Sequence, residues 1–103
     1  MNTVNFDCLH LVTKIAEPDE LLIGIYREAV IEEYRRGEKY TGWRFYVEKV
    51  VEKGANEPLW DTWEEHFSDI MRYPILYTSR QCEWTDVSTG KTVDIKKILG
   101  AIE

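Results

Sequence analysis

Apolar residues recur at steps of three and four in four stretches of this chain, and a shorter alternating region follows them. Phe6, Leu9, Val12 and Ile15 are spaced by three within Asn5–Ala16, which suits one face of a short helix. An alternating strand through Val4, Phe6, Cys8 and His10 competes with it. Glu17-Pro18-Asp19 is a break, because proline pushes its predecessor into extended geometry. Leu21 to Arg36 then reads as the longest helix, with Leu22, Ile25, Tyr26, Ala29, Val30 and Ile31 in a wide apolar stripe. Glu20 precedes it, Arg35-Arg36 close it as the helix dipole prefers, and Gly37 is a natural stop.

Trp43, Tyr46, Val47, Val50 and Val51 fall at i, i+3, i+4, i+7 and i+8, with Arg44, Glu48, Lys49, Glu52 and Lys53 between them. That spacing predicts a helix over Trp43–Lys53, capped by Thr41 and stopped by Gly54. Phe45 lies off the stripe, and the β-branched and aromatic content keeps a strand reading open. Asn56-Glu57-Pro58 opens a further helix whose apolar face is Leu59, Trp60, Trp63, Phe67, Ile70 and Met71, ended by Pro74. Ile75–Thr78 and Cys82–Val87 have strand character, Ser88-Thr89-Gly90-Lys91 signals a turn, and Thr92–Ile95 reads as the returning strand. The tail to Ile102 is amphipathic and suits a final helical turn or two capped by Asp94. The predicted fold is therefore α+β and mainly helical, with three or four helices and a C-terminal β-hairpin. If Trp43–Lys53 were a strand, it would join that hairpin in a small sheet covered by helices.

Composition fits one globular domain over residues 1–103, with 44% hydrophobic and 31% charged residues. The 13% aromatic share supplies a dense core and leaves a homodimer open as a way to cover surplus rings. No basic, apolar leader stands at the start, and no run approaches the roughly 20 apolar residues of a bilayer span. Cys8 and Cys82 then read as small, buried, reduced thiols, and the expected location is cytoplasmic. The net charge of −6 opposes non-specific binding to nucleic acid or anionic membrane.

The order of helices then hairpin suggests a winged helix, but charge argues against DNA binding. Its recognition helix would carry Asp61, Glu64, Glu65 and Asp69, with Arg72 at the end as its one basic residue. Arg35, Arg36, Lys39 and Arg44 are the basic cluster that a nucleic-acid-binding alternative would need. A second alternative is a small enzyme or metal protein built on His66 with Asp61, Glu64, Glu65 and Asp69, although the spacing matches no metal or protease motif. His10 with Cys8 and Cys82 offers a weaker thiolate–imidazole arrangement. Gly90-Lys91-Thr92 lacks the upstream glycine of a phosphate loop, since position 85 is Thr85, and reads as a hairpin turn. No cofactor or metal is expected.

What remains is an acidic, aromatic surface. Trp60, Trp63 and Phe67 facing inward together would simply be core. An exposed Trp60 or Trp84 ringed by carboxylates would be an anchor for a basic partner. The leading expectation is thus a small acidic protein-interaction module, of inhibitor or immunity type, for a larger basic or nucleic-acid-handling protein. Its candidate partner-binding residues are Glu57, Trp60, Asp61, Glu64, Glu65, Asp69 and Trp84.

Overall fold

The computed structural model describes residues 8–16, 20–32, 36–52, 55–78 and 83–102. Its centre is a six-stranded antiparallel sheet. In chain order the strands are β1 (His10–Ile15), β2 (Leu21–Glu32), β3 (Glu38–Glu52), β4 (Ala55–Glu64), β5 (Trp84–Asp86) and β6 (Thr92–Val93). Among the described residues there are also three short helices, α1 (Phe67–Ile70), α2 (Pro74–Thr78) and α3 (Ile95–Ile102). Across the sheet the order is β4-β3-β2-β1-β5-β6. No helix among the described residues is long and apolar enough to cross a membrane.

The mainly helical expectation is overturned. Of the predicted helices Leu21–Arg36 and Trp43–Lys53, the residues to Glu32 and to Glu52 fall on the two longest strands, paired from Leu21↔Lys49 to Glu32↔Glu38. The cause lies in the inward-facing set, which runs with period two: Leu11 and Thr13 on β1, Ile23 and Ile25 on β2, Trp43, Phe45 and Val47 on β3. Apolar residues also occupy the opposite parity, at Val12, Leu22, Tyr26, Tyr46 and Val50, so the continuous run satisfied a helical template by chance. The β3 strand joins β2 and β4, while the C-terminal hairpin joins β1 through Leu11↔Asp86 and Val12↔Thr85. Leu59–Met71 is also not one helix: its first half is β4, and only Phe67–Ile70 is helical in the rest. Ile75–Thr78 is helix α2, with Pro74 opening it where a missing N–H is harmless.

The C-terminal turn lies at the predicted place. Thr85 pairs with Thr92, and the Asp86 carboxylate accepts from the Ser88 N–H at 3.0 Å and the Ser88 hydroxyl at 2.7 Å. Asp94 caps α3, its side chain accepting from the Lys96 N–H at 2.9 Å.

The helices cover one face of the sheet. Phe67, Ile70, Met71, Leu76, Ile95 and Ile98 close over the inward residues of β1, β2 and β3. The Trp43 ring meets Phe67 edge-on at 5.0 Å, and the Arg27 guanidinium lies 4.7 Å over the same indole. Each large side chain fully buried here contributes about 2–3 kcal/mol of transfer free energy. Thr13, the polar group in this core, donates to the Glu83 carbonyl at 2.6 Å.

Two consequences of the strand lengths position the functional surfaces. First, the opposite face of the sheet has no helix against it among the described residues. Second, β2 and β3 outrun their neighbours. Described pairing with β1 ends at His10↔Tyr26, and pairing with β4 ends at Trp43↔Glu64. Beyond that line Glu28–Glu32 and Glu38–Gly42 pair only with each other among the described residues, forming a two-stranded ribbon. Arg36 and Gly37, the described residues of its connection, are both at positive φ.

Candidate functional site

The uncovered face gathers His10 from β1, Tyr26 and Glu28 from β2, Arg44, Tyr46 and Glu48 from β3, and Asp61 and Trp63 from β4. Strand alternation puts all of them on one side. His10, Tyr26, Arg44, Tyr46, Glu48 and Asp61 line a shallow depression of about 350 Å³. The rings of His10, Tyr26 and Tyr46 form a triad with centroids 5.5–5.9 Å apart.

Glu28 is the hub of the polar network. Its Oε1 accepts from Arg44 Nε at 2.9 Å and Nη2 at 2.6 Å, and its Oε2 accepts from the Tyr26 hydroxyl at 3.2 Å. Its backbone carbonyl accepts from the Trp63 indole N–H at 3.2 Å. Arg44 Nη1 reaches Asp61 at 3.4 Å. Three strands are thereby cross-tied. The hydrogen bond to Glu28 strengthens the charged state of Arg44. Burial first, then the nearby Glu28 carboxylate, pushes the Tyr26 phenol up.

His10 Nε2 and the Tyr46 hydroxyl are 2.7 Å apart. Burial lowers His10 despite the attraction of Asp86. Burial, with Glu48 and Tyr26 adding to it, pushes Tyr46 up to about 12. Both groups are therefore neutral near pH 7. One of the two donates to the other, and the imidazole tautomer sets which.

Two glycines make room for the rings. A Cβ on Gly24 would overlap the end of the Tyr46 ring, and a Cβ on Gly42 would overlap both the Trp63 ring and the Glu64 backbone. Tyr46 and Trp63 thus lie flat across neighbouring strands.

The sequence-derived candidates do not form one patch. A helix would have aligned Trp60 with Trp63, but the strand sends them to opposite faces. Trp60 lies on the helix side against Phe45 and Tyr73, and remains 43% exposed at the sheet edge. Glu64 shares that side, 3.5 Å from the Tyr73 hydroxyl. Glu57 is exposed on β4 opposite Lys49, and Asp61 is exposed on the uncovered face. Glu65 and His66 are exposed just past β4, and Asp69 sits in α1 with Arg72 at 3.7 Å. Trp84 is 0% exposed and belongs to the core, so it offers no surface anchor. Cys8 is exposed rather than buried, and Cys82 lies outside the described residues. Among the described residues no three His, Cys, Asp or Glu side chains converge on a metal-sized point. The basic cluster is dispersed too: Arg36 and Lys39 are exposed near the ribbon's turn, Arg44 is held by two carboxylates, and Arg35 lies outside the described residues.

No family model, curated protein or solved structure matches this chain.

Sequence reasoning missed Tyr26, Glu28 and Tyr46 as site residues, met His10 only in a thiolate–imidazole arrangement with Cys8 and Cys82, and met Arg44 only as part of a basic cluster. The signal was the period-two series Gly24-Tyr26-Glu28 and Gly42-Arg44-Tyr46-Glu48, visible only once both segments are read as strands.

Proposed function

We propose that this chain is a non-enzymatic protein-interaction module that binds a basic partner through the β4 edge of its sheet. One observation carries this reading: from Ala55 to Met71 the chain holds Glu57, Asp61, Glu64, Glu65 and Asp69 with no lysine or arginine, and β4 within it is an edge of the sheet with no further strand against it among the described residues. Leu59 and Trp60 stand exposed in the same strand and supply apolar contact. An acidic rim around an aromatic anchor steers and holds a cationic surface. An inhibitor of a nucleic-acid-handling protein is the most specific form of the reading, its carboxylates taking the place of phosphates. The exposed thiol of Cys8 supports a reducing, cytoplasmic setting.

The winged-helix alternative has lost its recognition helix, since Leu59–Glu64 is strand. The enzyme alternative gains nothing from His66, whose side chain is exposed.

Titration with a lysine–valine peptide at low salt, followed by calorimetry, tests the reading. Binding is expected for this peptide and not for its glutamate–valine counterpart. The double variant Glu64→Lys, Glu65→Lys should weaken it about tenfold or more while leaving the melting temperature nearly unchanged. Equal affinity of variant and parent would sink the proposal.

A further inference from the structure

The β4 edge exposes backbone as well as charge, and alternation identifies which groups. The Arg27 N–H donates to the Leu9 carbonyl, so odd residues of β2 point their backbone groups toward β1. Even residues of β2 then point toward β3. The Val50 N–H donating to the Glu20 carbonyl shows the even residues of β3 pointing back toward β2. The odd ones, Trp43, Phe45 and Val47, must therefore bond β4. Their register partners are Glu64, Thr62 and Trp60. The residues between, Asp61 and Trp63, aim N–H and C=O away from the sheet.

The other half of the edge is blunted. The register shifts between Val47 and Glu48, leaving Leu59 as an extra residue, and Pro58 beyond it has no N–H to offer. The open stretch is therefore Trp60–Glu64.

We infer that this stretch takes up an extended basic segment of the partner as a seventh strand, bonded through the backbones of Asp61 and Trp63. The inference rests on the basic-partner reading above and adds its mode. An added strand sends alternate side chains to the two faces. On the helix side they meet the Trp60 ring and the Glu64 carboxylate. On the uncovered side they meet Asp61, because the Trp63 ring turns the other way, over Gly42 to the Glu28 carbonyl. A lysine or arginine on either side finds a carboxylate, and an apolar residue on the helix side finds the exposed Trp60 indole. A second copy of this chain fits poorly, because it would bring one acidic edge, free of lysine and arginine from Ala55 to Met71, against another.

The test uses the full chain and two lysine–valine peptides of about six residues, one plain and one N-methylated at alternate backbone nitrogens. N-methylation leaves charge and side chains unchanged and removes strand donors. The plain peptide should slow amide exchange at Asp61 and Trp63 specifically, and N-methylation should weaken binding about tenfold or more. Equal affinity for the two peptides, or binding with no protection at Asp61 and Trp63, overturns strand addition while leaving a basic partner in place. Failure of both peptides to bind overturns the basic-partner reading and this inference together. Concentration-dependent dimerisation that protects the same two amides without peptide assigns the edge to a second copy and also overturns the inference.

Discussion

At the scale of single residues, the most informative pair is His10 and Tyr46. Their 2.7 Å contact joins β1 to β3 over the glycine between them, Gly24 of β2. Both are neutral in the fold because burial disfavours their charged forms, and the charges facing them do not reverse that. For His10 those surroundings are Asp86, Tyr26 and Tyr46. The folded pKa lies below the unfolded value of 6.5, so the unfolded chain binds its proton first as pH falls. The stability this contributes is present above pH 6.5 and is lost as pH drops through the folded value. Denaturation at about pH 7.5 and about pH 5 should therefore show a steeper loss in the parent than in His10→Asn. Tyr46 acts at the other end. Its folded pKa is raised from 10.0 to about 12, so its contribution is intact below pH 10.0 and lost as pH rises through about 12.

At the scale of elements, the two glycines measure how firmly a ring is seated on a strand. The atoms that a Gly24 Cβ would meet all belong to the far end of the Tyr46 side chain, which can swing away. The Gly42 Cβ would also meet the Glu64 carbonyl, which cannot move without shifting β4. Gly42→Ala should cost about 2–3 kcal/mol by chemical denaturation, against about 1 kcal/mol for Gly24→Ala. Equal costs would show that Trp63, not the backbone, absorbs the strain. The same elements explain what could be read in the sequence. The β5–β6 turn and the Asp94 cap were legible because turn and cap chemistry is local. The long strands were not, because Tyr46 and Val50 on the uncovered face completed a helical stripe with Trp43 and Val47. Phe45, the residue that did not fit that stripe, is fully buried and marked the true period. Of the site, the acidic residues of β4 were legible as composition. Their division between two faces was not, since it depends on strand parity.

At the scale of the whole molecule, the sheet is uneven in how well it is supported. Its centre is packed under three helices, whereas the ribbon of Glu28–Glu32 and Glu38–Gly42 has no flanking strand among the described residues. Ile31 is 69% exposed there. Two strands alone are marginal in water. Amides of the ribbon should open at about 1–2 kcal/mol, while those of Ile23, Ile25 and Phe45 wait for global unfolding at about 5–10 kcal/mol. Native-state exchange with increasing denaturant separates the two; a single shared isotherm would mean that the ribbon and the centre open as one unit.

The ribbon's base carries its own optical reporter. Trp63 lies on Gly42, donates to the Glu28 carbonyl, and belongs to the proposed docking edge. Its emission should respond both to ribbon opening and to a strand laid along β4, so one fluorophore reads out whether the two events are coupled.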